Sequence, residues 1–103
     1  MPLVSILYVS SATRPFPPEE LAELLQVSRE KNQRLGITGM LLHKEGNFMQ
    51  VLEGEDGAVR ELFRRIDRDP RHRGVIVLRS ATVEQREFAE WSMAYCDLDR
   101  PEY

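Results

Sequence analysis

Asn47-Phe48-Met49-Gln50-Val51-Leu52-Glu53-Gly54 reads as a strand: aromatic and branched residues, closed by a glycine. Alternation puts Phe48, Gln50 and Leu52 on one face and Met49 and Val51 on the other. Both faces are largely apolar, which predicts a central strand. Gln50 breaks the pattern. A primary amide buried without partners costs on the order of 1–3 kcal/mol, so both its donor and its acceptor must be met. A backbone group, a neighbouring side chain or the polar edge of a ligand would serve. A satisfied core glutamine is the plainer reading. The sharper one requires other polar residues to converge on the same place.

Outward from that strand, Lys44-Glu45-Gly46-Asn47 reads as a hairpin turn, and Ile37 to His43 as the strand before it. Gly39 inside that strand marks a bulge or a close backbone approach. Earlier still, Leu3 to Val9 is a first strand, with Val4, Ile6 and Tyr8 on one face and Leu3, Ser5, Leu7 and Val9 on the other. Residues 10–18 form a polar, proline-bearing loop. A helix starts at Pro17-Pro18-Glu19-Glu20, where proline and acids suit a first turn, and ends before Gly36. Its inward stripe is Leu21, Leu25, Ser28, Asn32 and Leu35, with Leu24 beside it. Ser28 and Asn32 interrupt a leucine face. They are either helix-end residues bonded to backbone or a polar notch that meets a ligand.

After Gly54 a second helix, capped by Asp56, carries the stripe Val59, Leu62, Phe63 and Ile66 and stops at Pro70. Its charged face, continuing into Asp69-Pro70-Arg71-His72-Arg73, reads as solvated, His72 included. Val75 to Leu78 is a fourth strand and Gln85 to Glu90 a short turn. Trp91 to Cys96 is a fifth strand, with Trp91, Met93 and Tyr95 on one face. The order β-α-β-β-α-β plus one strand is an α+β, ferredoxin-like pattern with an additional C-terminal fifth strand. Right-handed crossovers place two helices on one face of a mixed sheet. The first and third strands are expected side by side in the middle, running parallel. Tyr8 and Gln50 then become neighbours beneath Ser28 and Asn32 from one helix and Phe63 or Ile66 from the other.

The composition narrows the function classes. The chain has 103 residues and a formal net charge of −3. That is one small domain, without the strongly basic face that nonspecific nucleic-acid binding needs. One cysteine, Cys96, excludes an internal disulfide and is compatible with a reducing, cytoplasmic setting. No apolar run approaches membrane-spanning length and no secretory leader is recognisable, so neither a membrane nor nucleic acid is expected as a partner. No glycine-rich phosphate loop occurs, and His43, His72 and Cys96 do not make a metal cluster.

The polar exceptions point at one volume: a phenol and an amide on strands, and a second amide on a helix. Such a network suits a flat heterocycle with donors and acceptors along one edge, such as an isoalloxazine sandwiched by Leu25 and Ile66. The sequence resembles the BLUF family, small blue-light sensors that use a flavin. The resemblance is carried, in order, by Leu7-Tyr8-Val9-Ser10 and by Ser28-Arg29-Glu30-Lys31-Asn32 running into Gly36-Ile37-Thr38-Gly39-Met40-Leu41. Phe48 to Gly54, Asp69-Pro70-Arg71-His72 and Phe88-Ala89-Glu90-Trp91-Ser92-Met93 complete it. It spans Leu3 to Cys96, within a sensor domain over residues 1–97 and ahead of a polar tail over 98–103. Lys31 departs from the Asn or His that some relatives carry there.

The resemblance implies a non-enzymatic photoreceptor. Asn32 would bond the polar edge of the ring. Gln50 would bridge the ring and Tyr8, the electron and proton donor. Leu25, Ser28 and Ile66 would line the site, and Asp69 and Arg71 would hold polar parts of the cofactor. Trp91 and Met93 would respond to light. FAD is the implied cofactor, with FMN or riboflavin as alternatives. The apolar residues of the sheet's far face, Leu7, Val9 and Val51, need cover. They imply a homodimer or larger homo-oligomer, or a missing extension, with output through a downstream protein effector. Two other classes stay in view. One is an acylphosphatase-like hydrolase using Arg14 as an anion clamp. The other is a cofactor-free interaction module docking through Arg60 to Arg73.

Overall fold

A computed structural model, which describes residues 2–99, contains seven elements. They are β1 (Leu3–Ala12), α1 (Pro18–Leu35), β2 (Thr38–Lys44), β3 (Asn47–Glu55), α2 (Asp56–Asp67), β4 (His72–Val83) and β5 (Ala94–Asp97). The sheet order is β4-β1-β3-β2-β5, so the run built around Gln50 is indeed a central strand. Both helices pack on one face, as the ferredoxin-like pattern requires.

One strand direction differs from expectation. β1 and β3 are antiparallel, not parallel. The α1 crossover makes β1 and β2 the parallel pair. β3 returns from β2 through a hairpin turn, inserts between them, and so must oppose both. The turn has positive φ at both central residues, Glu45 (49°) and Gly46 (77°), the combination that matches strand twist in a two-residue hairpin. The sheet is nevertheless mixed, because β5 runs parallel to β2.

The alternation read from sequence sets the core. Val4, Ile6 and Tyr8 of β1 are buried, as are Phe48, Gln50 and Leu52 of β3. Leu21 and Leu25 of α1 and Val59 and Leu62 of α2 cover them, with Phe63 and Ile66 packed alongside. Gly39 meets the close approach foreseen for it: an added Cβ would lie 1.9 Å from the Val51 carbonyl oxygen. Gly36 ends α1 in the left-handed conformation, and Ile37 N–H donates to the Asn32 carbonyl at 2.8 Å.

Several local expectations are corrected. Leu35, placed on the inward stripe, is 42% exposed, although Asn32 in the same last turn of α1 is buried. Asp56 does not cap α2; Glu55 is the boundary residue without a side-chain cap bond, and Asp56 pairs with Arg60 one turn on. β4 is longer than its apolar stretch, because an outer strand laddered to β1 needs backbone bonds rather than burial. β5 is shorter than Trp91–Cys96: Trp91 and Met93 lie in the approach to it. Leu98 and Asp99, read as tail, are tied to the hairpin. Leu98 N–H donates to the His43 carbonyl at 2.8 Å, and the Asp99 carboxylate accepts from the Glu45 amide at 2.9 and 3.1 Å. Residues 100–103 of that tail lie outside the described residues.

Candidate functional site

Tyr8 and Gln50 are direct partners in the β1–β3 register, on the face beneath the helices. Strand pairing therefore aims both side chains at one point, and the Tyr8 hydroxyl donates to Gln50 Oε1. Burial pushes the Tyr8 phenol well above its ordinary range, with the negative charge of Asp69 adding to the effect. The phenol therefore stays protonated and is the donor in this bond. Gln50 Nε2 is left for the thioether of Met93, with Sδ at 3.5 Å, a weak acceptor. Phe63 braces the Tyr8 ring edge-on at 5.4 Å between centroids.

Between the helices and this pair lies a cavity of about 210 Å³. Leu25 of α1 and Ile66 of α2 form opposing apolar walls, and Leu24, Leu41, Phe48 and Leu62 extend them. Ser28 and Asn32 enter from α1, Asp69 and Arg71 from the loop after α2, and Met93 from the approach to β5. Nine of the ten residues expected at the site thus line one volume. The tenth, Trp91, does not: it is 55% exposed and outside the cavity lining. Its carbonyl is bonded to Gly39 N–H at 3.1 Å. The two-residue alternation that paired it with Met93 fails because this stretch is not a laddered strand.

Asn32 is buried and donates through Nδ2 to the Ser92 carbonyl at 2.9 Å. It thus joins α1 to the segment carrying Met93, whose own carbonyl accepts from Arg29 Nε at 2.9 Å. At the cavity rim Asp69 and Arg71 form a multiply bonded ion pair, with Nε at 3.0 Å from each carboxylate oxygen. The bonds and charge of Arg71 hold the Asp69 carboxyl below its usual range. Lys31, to which sequence assigned no contact, also lines the cavity, as does Arg65.

Sequence reasoning missed two residues outright. His72 is half-buried rather than solvated: Nε2 bonds the Ile66 carbonyl, and Nδ1 lies 2.8 Å from Ser10 Oγ. A carbonyl only accepts, so Nε2 carries the hydrogen and His72 fastens the end of α2 beside the cavity. Glu53 is buried at the far end of β3. A charged residue at a strand end gives no sequence signal of such burial. The rival arrangements are not assembled. Arg14 is engaged by Glu20. Arg60, Arg64 and Arg71 pair with Asp56, Glu61 and Asp69, so much of the basic run is neutralised within the chain.

The lining suits a flat heterocycle such as a flavin ring: apolar side chains come from both helices, and amide groups from β3 and α1. Among the described residues no group of three His, Cys, Asp or Glu side chains could hold a metal. No helix there is long and apolar enough to cross a membrane.

Comparison with known proteins places the whole fold. The pattern described as BLUF, sensors of blue-light using FAD, matches residues 3–94. The chain is 37% identical over 92 residues to the photoactivated adenylate cyclase subunit beta of Euglena longa, covering 88% of this chain and 11% of that protein. Among solved structures, a bacterial light-regulated adenylyl cyclase superposes with a TM-score of 0.93 at 32% identity, over 98% of this chain and 30% of the other. The dark state of the BLUF protein BlrB gives 0.90 at 37% identity, over 95% and 74%. The chain therefore spans a small fraction of the curated relatives it matches.

Proposed function

The chain belongs to the BLUF family of blue-light sensors that use flavin, and we propose that Tyr8 and Gln50 are its photoactive pair. The hydrogen bond from the Tyr8 hydroxyl to Gln50 Oε1, at the floor of an apolar cavity, carries this reading. A bound flavin supplies light absorption and, once excited, a strong one-electron oxidant.

The protein's own side chains govern the response to that excitation. Tyr8 is a buried neutral phenol, and oxidising it makes its proton strongly acidic. The partner positioned to take that proton is Gln50 Oε1. Once Tyr8 is again a neutral phenol, the Gln50 amide would be left rotated or tautomerised, with its donor and acceptor ends exchanged. That changes what it offers both the cavity and Met93. Leu25 and Ile66 exclude water, so the exchanged amide is not immediately re-solvated. Asn32 and Ser28 orient the polar edge of the ring.

FAD is the cofactor we assign, with FMN or riboflavin as the alternatives. Lys31, Arg65 and Arg71 at the rim oppose a single acid, Asp69, and favour a phosphate-bearing flavin. Met93 is assigned the response to light; the exposed side chain of Trp91 is assigned a place in it only after rearrangement. Output through a downstream protein effector in the cytoplasm belongs to the same proposal. So does a homodimer covering the far-face row Met49, Val9 and Ile76, in which Met49 and Ile76 are exposed. Sedimentation velocity reads the dimer directly.

The decisive experiment is light-minus-dark difference spectroscopy of the flavin-loaded chain. A reversible red shift after blue light is expected. A protein that stays colourless after refolding with FAD, FMN or riboflavin overturns the proposal.

A further inference from the structure

A buried carboxylate on the side of the sheet away from the cavity has no part in the Tyr8–Gln50 pair. Glu53 is 1% exposed. The ladders of β3 to both neighbours run without a register shift, so alternation turns Glu53 to the face opposite Gln50. Burying a carboxylate is strongly unfavourable unless hydrogen bonds hold its charge. Three do: from Thr38 Oγ1 at 2.9 Å, Glu87 N–H at 2.8 Å and Phe88 N–H at 2.9 Å. Two of these donors belong to the loop between β4 and β5. Arg86 reinforces the clamp, donating to Thr38 Oγ1 at 3.0 Å and to the Glu53 carbonyl at 3.2 Å.

From that clamp the chain passes the edge of β2, where Gly39 N–H holds the Trp91 carbonyl. It then reaches the helix side. There Asn32 holds the Ser92 carbonyl, Arg29 holds the Met93 carbonyl, and Gln50 meets the Met93 sulfur. Residues 86–93 are therefore a strap fastened on both faces of the sheet. Glu87, Ala89, Glu90 and Trp91 are exposed and Phe88 is half-buried, and Trp91 N–H donates to the Phe88 carbonyl at 3.0 Å, so the strap is a short turn set mainly by its hydrogen-bonded ends. Met93, at its end, is 3% exposed and makes its weak bond to Gln50 at 3.5 Å. A displacement of about an ångström would break that contact.

We propose that Glu53 is a positioning residue for Met93: by fixing the Glu87 and Phe88 amides it sets how far the strap reaches, and so where the thioether meets the Gln50 amide. The inference rests on the photosensor reading of Gln50. It gives the far face a mechanical link to the cavity that does not run through the sheet's own ladder.

The test uses four proteins, each flavin-loaded: the wild type, Glu53→Gln, Met93→Ala and the double variant. Glu53→Gln keeps shape but replaces one acceptor oxygen by an amide group, so one strap N–H loses its partner. In the dark, hydrogen exchange at Glu87 or Phe88 should rise about tenfold or more, as for loss of one charge-assisted bond, and the Met93 methyl resonance should move. Dark recovery after blue light should change about threefold or more in Glu53→Gln and not further in the Met93→Ala background, the non-additivity expected of residues acting through one contact. An unmoved methyl resonance despite faster exchange, or equal effects of Glu53→Gln in both backgrounds, overturns the proposal. If Glu53→Gln fails to fold, Arg86→Ala loosens the same clamp and must shift the same methyl resonance; an unmoved resonance there overturns it too. A wild type without any photocycle would defeat the photosensor reading, while the methyl shift would still decide the positioning role.

Discussion

Tyr8→Phe removes a single oxygen from the core and leaves the ring packed edge-on against Phe63. What disappears is the donor to Gln50 Oε1. A buried acceptor left without its partner costs about 1–3 kcal/mol. The phenol's own desolvation penalty vanishes with the oxygen and offsets part of that, so a net loss of about 1–2 kcal/mol is expected. For a chain of 103 residues, each 1 kcal/mol lowers Tm by roughly 4–8 °C, giving a fall of roughly 4–16 °C. Calorimetry of the dark, flavin-loaded variant measures it. Adding Gln50→Leu should restore most of the loss, because an apolar pair leaves neither partner unmet. Difference spectroscopy is the second assay: the variant should keep its yellow colour and form no red-shifted state. A normal light-induced red shift refutes Tyr8 as the donor, and an unchanged Tm refutes the bond's contribution to the core.

Gln50→Ala should bind flavin yet give no red-shifted state, read in the same difference spectrum. Asn32→Ala removes both the site's helix-borne amide and its bond to Ser92; flavin absorbance after gel filtration should fall. Gly39→Ala should leave little folded protein by circular dichroism, since its methyl would collide with the Val51 carbonyl oxygen 1.9 Å away. Tyr8 also predicts an alkaline slope. Its folded pKa is raised, so its stabilising contribution is complete below pH ~10 and is lost as pH rises from there toward the folded value, at about 1.4 kcal/mol per unit. Denaturant titrations at several pH values should show that slope in the wild type and a shallower one in Tyr8→Phe.

The meeting of Tyr8 with Gln50 was legible because alternation alone fixes which face each side chain takes, whichever way the strands run. Strand direction was misread, although the features that fix it, the hairpin at residues 44–47 and the α1 crossover, are both in the sequence. It is decided by the hairpin inserting β3 between β1 and β2. The helix-borne residues Leu25, Ser28, Asn32 and Ile66 followed from helical spacing, and all line the cavity. Trp91 was misplaced because alternation presumes a ladder. Here the carbonyls of Ser92 and Met93 are claimed by side chains of α1 instead. His72 and Glu53 were missed for a shared reason. Each looks solvated among charged or terminal residues, and each is engaged by a segment distant in sequence, half-buried His72 by Ser10 and buried Glu53 by the 86–88 stretch.

The arrangement around Gln50 also explains why an amide, and not a hydroxyl or a carboxylate, occupies the middle of β3. Its two ends differ in kind, and its two neighbours differ as well. The phenol both donates and accepts, whereas the thioether only accepts, and weakly. In the described orientation both contacts are met. Turned over, the amide N–H can still find the phenol oxygen, but Oε1 then faces a sulfur with no hydrogen to give. Turning the amide over therefore leaves a buried acceptor unmet, about 1–3 kcal/mol, which holds the minor orientation at roughly 15% or less. A donor or acceptor placed in the cavity needs only a few kcal/mol of preference to reverse that balance. Burial keeps water from supplying both orientations equally. A serine has no second end to exchange, and a carboxylate has two identical ones, so neither could hold two distinguishable states at this position.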